Sequence, residues 1–411
     1  MNKKNTIAII TSGYFPVPAA MGGAVEALDE NLIKQNEESD KVRFVIFSCY
    51  NDKAKEISRK YKKSSFVFVK TPKSVCFLDK VIYWTAKNVL RKKKSMSYRY
   101  ILQRLHYIEE VAKYLKRNEY DKLVIENHSS LFMALKKYNN AEKYRGKYYY
   151  HLHNVVTNDY GCKEIMGKCK KVVGVSNYIN ETLQVFLKKN DYNEYTVLRN
   201  RIDRKHFLIH LTEKEKKDIR QKYNLSEDDV VFLYCGRFNE EKGIRELLRA
   251  FEYSEDKCKL LVVGGYYYGS GMISSFEKEM YAFTKEKLSD KVRFTGQIEY
   301  EMMPRIYAIA DVVVIPSVWD DPAPLTVIES LTSGKALITT DSGGIPEYAD
   351  SVTSVIIRRN ENIVKNLAKE MNKLANNKDL RSKMEEEVLI KTKNWNIKTY
   401  YNDFCDIVDD I

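Results

Sequence analysis

The chain has 411 residues, a formal net charge of +13 and seven cysteines at positions 49, 76, 162, 169, 235, 258 and 405. Its length predicts two or three domains with substantial cores. No run approaches the ~18 consecutive apolar residues of a membrane span, and the start, Asn2-Lys3-Lys4, lacks the apolar stretch of a signal peptide. The dispersed cysteines without a C-x-x-C pair argue against a disulfide scaffold or a zinc ribbon, and the expected setting is the cytoplasm.

Taken in chain order, short apolar runs alternate with helical patterns, which predicts an α/β architecture of doubly wound parallel sheets. In the first half, strands are expected at Ile7–Ile10, Val42–Phe47, Phe66–Val69, Leu123–Ile125, Lys147–His151 and Lys171–Val175. Helices fit at Ala24–Gln35, Tyr98–Lys116, Leu131–Tyr138 and Tyr178–Lys188. After a polar segment near 200–225 the pattern restarts, with strands at Val230–Tyr234, Lys259–Val263, Lys291–Phe294, Asp311–Ile315, Ala336–Thr340 and Thr353–Ile357. The expected division is a first Rossmann-like domain over 1–200, completed by a terminal helix over 396–411, and a second over 201–395.

The excess positive charge is gathered in runs such as Lys60-Tyr61-Lys62-Lys63 and Arg91-Lys92-Lys93-Lys94. Zinc-ligand spacing, aromatic RNA-binding patterns and a basic heptad region are missing, so nucleic acid is not the expected partner. Two readings stay open: an anionic membrane surface, which attracts each nearby Lys or Arg by roughly 1 kcal/mol, and plain solvation of a Lys-rich face.

The residues that carry chemistry lie where strands end. Pro316 to Pro324 leads from a strand into a helix bearing Leu325, Ile328 and Leu331 on one face. A helix N-terminus offers unpaired amides and partial positive charge, so this loop suits an anion, held by the backbone of Ala323, Pro324, Leu325 and Thr326. Glu329 can accept from the two hydroxyls of a ribose, and Asp321 from hydroxyls of a neighbouring sugar. Arg237 and Lys242 flank another strand-to-helix turn, where Gly236 and Gly243 permit close approach and two cations can neutralise a diphosphate. Gly22-Gly23 precede a helix start at Ala24 and could admit phosphate to backbone amides. His151 and His153 stand two apart at a strand end, but no acidic or cysteine partner follows at ligand spacing, so no metal site is expected there.

These motifs together resemble the retaining glycosyltransferases of family four. Asp321 and Glu329 match the family's pair of acidic residues separated by seven. Val173-Gly174-Val175-Ser176, Arg199-Asn200-Arg201-Ile202-Asp203 with Phe207, Cys235 to Gly243, and Thr340 to Glu347 resemble four further family segments in the same order. Asp321 departs from the usual glutamate by one methylene. The resemblance implies a GT-B fold, two Rossmann-like domains facing across a cleft, with the C-terminal helix crossing back to the first. It implies a hexosyl transfer with retention from a nucleoside diphosphate-sugar, UDP by preference, to a sugar or lipid-linked glycan acceptor in cell-surface polysaccharide synthesis. The donor is a co-substrate and neither cofactor nor metal is expected, in keeping with the missing Asp-x-Asp triplet. His153, Asp321, Arg237 and Lys242 are then the expected catalytic residues. Gly22, Gly23, Ala323, Pro324, Leu325, Thr326 and Glu329 join the last three of these in binding the donor. Rival readings are a non-catalytic sugar-nucleotide-binding scaffold of spore-coat type, and another GT-B enzyme such as an epimerase or phosphorylase.

Overall fold

A computed structural model describes residues 4–90, 98–265 and 274–408. The chain divides into two units, Met1–Arg199 with Ile397–Ile411, and Asn200–Asn396. Arg91–Lys94 of the basic run lies outside the described residues.

Unit 1 runs β1 (Thr6–Ile10), α1 (Ala24–Ser39), β2 (Arg43–Cys49), α2 (Asp52–Ser58), β3 (Ser64–Val69), α3 (Lys73–Trp84), α4 (Ile101–Arg117), β4 (Lys122–Glu126), α5 (Phe132–Lys136), α6 (Asn140–Lys143), β5 (Tyr148–Leu152), α7 (Lys163–Met166), β6 (Lys171–Gly174), α8 (Asn177–Leu187) and β7 (Glu194–Val197). The seven strands form one parallel sheet in the order β3-β2-β1-β4-β5-β6-β7. At its centre Ile7 pairs with Phe44 on one side and Lys122 on the other. Helices cover both faces, so the central strands are apolar along their whole length rather than alternating.

Unit 2 continues with α9 (Arg204–Phe207), α10 (Glu213–Lys222), β8 (Val230–Cys235), α11 (Ile244–Phe251), β9 (Cys258–Val263), α12 (Ser275–Lys287), β10 (Val292–Gly296), α13 (Met303–Ile309), β11 (Val312–Ile315), α14 (Leu325–Thr332), β12 (Ala336–Thr340), β13 (Ser354–Ile357), α15 (Ile363–Asn376) and α16 (Lys378–Lys391). Its six parallel strands are ordered β10-β9-β8-β11-β12-β13. Phe232, Val312 and Val314 enter the core on one face of the sheet, while Val231, Leu233, Val313 and Ile315 enter the core on the other. The strand order reverses between β8 and β11, and in open α/β sheets a ligand crevice forms beyond the strand ends at such a point. The chain then returns to unit 1 as α17 (Ile397–Val408). There the Tyr401 hydroxyl donates to Asn36 Oδ1 at 2.6 Å, and the Phe404 ring meets Phe44 edge-on at 6.0 Å.

Three expectations need correction. The single helix expected at Leu131–Tyr138 is broken, because Tyr138 and Asn139 adopt left-handed backbone (φ 55° and 59°) and the chain restarts as α6. The edge strand β7 has no apolar run to announce it and is recognised only by its pairing with β6. No element is expected between 70 and 97, yet α3 is a three-turn helix whose apolar residues fall on both of its faces.

Local chemistry explains two of the motifs. Ser176 caps α8, its Oγ accepting from the Ile179 amide at 3.3 Å. A Cβ on Gly174 would stand 2.2 Å from Asn180 Oδ1, so only glycine lets α8 pack this closely on β6. Of the basic run at 60–63, Lys63 pairs with Asp40 at 3.7 Å and the Lys62 and Lys63 amides donate to Glu37, so this stretch is partly committed to its own unit.

Candidate active site

In unit 2 three loops meet beyond the ends of β8, β11 and β12. β8 ends at Cys235, and the amide of the next residue, Gly236, donates to Val263 O at 3.1 Å. The chain then makes a short turn over Glu240–Lys242 and enters α11 through Gly243. Gly243 has φ +69°, and a Cβ there would lie 1.8 Å from the Pro316 carbonyl. That contact presses the β8 loop onto the β11 loop. The Val318 amide and the Ser317 hydroxyl both donate to Glu241 O, at 3.0 and 3.3 Å, and close the seam.

The loop after β12 locks the other side. The hydroxyls of Thr340 and Ser342 donate to Ser317 O at 2.6 and 2.8 Å, and the Gly344 amide donates to Asp321 O at 2.9 Å. Gly343, at φ +56°, passes so close to the Asp320-Asp321 backbone that a Cβ would meet Asp321 O at 2.5 Å. The glycines of the third loop are therefore contact residues of the second.

This scaffold separates the two neighbouring aspartates. Asp320 accepts from Arg359 Nη2 at 2.7 Å and from the Gly343 amide at 3.2 Å, which fixes the loop. Asp321 is buried and forms an ion pair with the ammonium of Lys242. Two of the expected residues, 79 positions apart, are thus in direct contact. Arg237 is exposed on the neighbouring turn, and its carbonyl accepts from the buried Tyr234 hydroxyl at 3.2 Å. α14 begins at Pro324 without a capping side chain. The amides of Leu325 and Thr326 therefore lack a side-chain acceptor, as anion binding at a helix start requires.

Glu329, on the second turn of α14, is buried rather than displayed on the helix surface. Its carboxylate accepts from the Tyr307 hydroxyl at 3.0 Å. Burial pushes the Glu329 carboxyl up to about 7, with the Tyr307 hydrogen bond opposing that rise. Burial and the neighbouring Cys235 and Glu329 hold the Tyr307 phenol well above its ordinary range, so it stays a donor. Tyr307 is a site residue that sequence reasoning missed. It sits on α13 in an ordinary apolar pattern and is brought to Glu329 only by packing.

Unit 1 presents a second polar group at its strand ends. Gly22 and Gly23 both hold positive φ, 77° and 107°, and Gly23 leads into α1 without a side-chain cap. Glu26 in that first turn is buried and accepts from the Ser12 hydroxyl at 2.8 Å. Burial raises its carboxyl, while its own amide, the Ser12 hydrogen bond and the helix start work against the rise. The amide end of α1 thus already faces a carboxylate, beside the open backbone of Gly22.

His151 and His153 follow from β5, and β4 supplies the partner that sequence spacing concealed. Glu126 Oε1 lies 3.0 Å from His151 Nδ1, Glu126 Oε2 lies 3.3 Å from His153 Nε2, and the two ring nitrogens are 3.4 Å apart. No acidic partner follows the histidines at ligand spacing, but one lies 25 residues upstream of His151 and is brought beside it by the sheet. The three could together hold a metal ion by position alone. Glu126 Oε1 is in hydrogen-bond reach of His151 Nδ1, whereas Glu126 Oε2 and His151 Nε2 are buried without a hydrogen-bond partner among the described residues. Burial would raise Glu126, but the two histidines hold it well below the usual carboxylate range. Burial, then His151, lowers His153 to about 4, so its ring is neutral near pH 7. Burial, then the neighbouring Glu126 and Glu26, push the fully buried Asp29 carboxyl well above its ordinary value. Next to these residues lies a pocket of about 260 Å³ whose polar lining includes Asn127, His128, Ser129, Asn154, Asn158 and Tyr160.

Residues 215–389 match the family model of glycosyl transferases group 1, a span that lies wholly inside unit 2 and contains Arg237, Lys242, Asp321, Glu329 and Tyr307. The chain carries a group 1 glycosyltransferase domain within a GT-B fold. It is 34% identical over 141 residues to the lipopolysaccharide 1,2-N-acetylglucosaminetransferase of Salmonella typhimurium, an alignment covering 33% of this chain and 37% of that enzyme. It is 22% identical to spore coat protein SA of Bacillus subtilis over 92% of each chain. Anabaena HepE, solved in complex with UDP and glucose, superposes on this chain with a TM-score of 0.73 at 14% identity, covering 99% of this chain and all of HepE. Among the described residues, no helix is long and apolar enough to cross a membrane.

Proposed function

We propose that the protein transfers a hexose from a nucleoside diphosphate-sugar, with UDP as the nucleotide, to a glycan or lipid-linked acceptor, with retention at the anomeric carbon and without a metal. The observation that carries this reading is the Lys242–Asp321 ion pair beside the uncapped start of α14, with buried Glu329 one turn further on. An arriving diphosphate competes with Asp321 for the Lys242 ammonium. Charge-assisted hydrogen bonds contribute about 1.5–3 kcal/mol each, and they strengthen as charge develops on the leaving group. Arg237 adds a second cation, the first-turn amides of α14 take phosphate oxygens, and Asp321, released from Lys242, accepts from sugar hydroxyls. Glu329 accepts from the ribose hydroxyls.

In the transfer, the bond from the anomeric carbon to the diphosphate oxygen breaks as the acceptor oxygen bonds to the same face of that carbon. The acceptor proton passes to the departing diphosphate oxygen, which becomes the leaving anion's own base. Retention rests on the resemblance to family four. A role in cell-surface polysaccharide synthesis is supported by the similarity to a lipopolysaccharide transferase. In unit 1, the amides and aromatic rings lining the pocket beside His153 suit a saccharide acceptor, and neutral His153 acts as a hydrogen-bonding group rather than a cation. The setting is the cytoplasmic face of a membrane, where a lipid-linked acceptor would be met.

Thermal melts with UDP, GDP and UDP-hexoses in chelator test the donor site. A ligand at 100 times its Kd adds about 2.7 kcal/mol of stability. A UDP-selective rise in Tm, abolished in Glu329→Ala, is the expected result. No shift with any nucleotide would remove the transferase reading, and binding without sugar release or transfer would favour a non-catalytic scaffold.

A further inference from the structure

Helix α3 is fastened to unit 1 by its inner side and shows an apolar ridge on the outer one. Its sole acidic residue, Asp79, is buried and accepts from the Leu102 and Gln103 amides of α4, both at 2.9 Å. These two bonds cap α4 and set the rotation of α3. Opposite Asp79 on the helix wheel stand Phe77, Val81 and Trp84, at the i, i+4 and i+7 spacing of a single face, with Leu78 beside them. Their exposures are 66%, 45%, 59% and 50% respectively. Surface apolar residues scattered singly are ordinary, whereas a ridge of four large ones on a helix marks a contact site. Lys73 and Lys80, one heptad apart, run along one edge of this ridge, and Lys87 follows with its ammonium 5.9 Å from the Tyr83 ring centre.

We propose that α3 is the element by which this protein docks on an anionic lipid bilayer. It deepens the membrane setting proposed above, on which it rests, and is independent of the donor site. Two observations select lipid over another protein surface. The charge that the helix itself shows beside the ridge is positive, since its one carboxylate is turned inward. The ridge is also led by exposed Phe77 and Trp84, residue types that sink to the boundary of headgroups and acyl chains, while lysine stems reach back to anionic phosphates. The helix lies in the interface plane and does not cross it.

The test uses the full chain with vesicles of phosphatidylcholine alone and of phosphatidylcholine mixed with phosphatidylglycerol. Flotation should recover the protein only with the anionic vesicles, and Trp84 emission should shift to the blue, a change lost in Trp84→Phe. The Phe77→Ser/Trp84→Ser variant should bind at least about tenfold more weakly. The Lys73→Gln/Lys80→Gln/Lys87→Gln variant should lose roughly a hundredfold, and salt should weaken only the wild type and the serine variant. Each variant should keep the wild-type Tm and UDP-induced shift, which separates loss of docking from loss of the donor site. Equal recovery with both vesicle types, undiminished binding by either variant, or a concentration-dependent dimer abolished by the serine variant would overturn the assignment.

Discussion

Replacing Glu329 with glutamine should stabilise the protein in mild alkali while weakening its hold on the donor. The carboxyl is fully buried and raised from 4.5 to about 7. Its folded value lies above its unfolded one, so its contribution to stability is fully present below about pH 4.5 and is lost as pH rises through 7. At pH 8 the wild type therefore holds an ionised carboxylate in a dry site, at a cost of roughly 3 kcal/mol relative to acid. Glutamine keeps the shape and can still accept from Tyr307, but it does not ionise. In a unit of this size, 1 kcal/mol is about 2–4 °C. Glu329→Gln should then melt several degrees higher than wild type at pH 8, with the gap closing toward pH 5. Donor binding should run the other way. Ribose hydroxyls donate to the ionised carboxylate, so wild-type affinity for a UDP-hexose should fall about tenfold per pH unit below 7. The variant should bind more weakly and without that slope. Melts and calorimetric titrations from pH 5.5 to 8 read both effects. A variant less stable than wild type at pH 8, or a wild-type Kd flat across the range, would refute the reasoning.

Lys242→Gln should raise the Kd for UDP by about 10- to 100-fold, the loss of one charge-assisted contact; an unchanged Kd in calorimetry would place the diphosphate elsewhere. Gly243→Ala should lower unfolding free energy by about 1–3 kcal/mol, because φ is +69° and the new methyl meets the Pro316 carbonyl. Urea denaturation measures this, and a neutral result would mean that the two loops are not pressed together. His153, held near 4, should show nitrogen chemical shifts of a neutral ring at pH 6. In Glu126→Gln the carboxylate that both rings contact is gone, so those shifts should move; unmoved shifts would deny the contact.

Much of the architecture was legible in the chain because its physics is local. Parallel strands covered on both faces must be apolar throughout, so β8 and β11 show as unbroken runs such as Val312–Ile315. Their loops must turn sharply against one another, so glycines and prolines gather at 236, 243, 316, 324 and 343. Exposed edges and reversed faces were less legible. β7 lacks the burial that would make it apolar, and α3 carries large apolar side chains on both of its faces, so no single apolar stripe marks it as a helix. The site's electrostatics were not local at all. Tyr307 reaches Glu329 across 22 residues, Lys242 reaches Asp321 across 79, and Glu126 lies beside His151 because β4 and β5 are neighbours in the sheet. The sequence by itself determined most of the alternation of strands and helices and the loops where the strands of unit 2 end. Only the tertiary structure decided which aspartate meets the lysine, which glutamate is dry enough to keep its proton near neutrality, and which helix face is left exposed. Those choices depend on distance and on water, and neither is set until the sheets are packed.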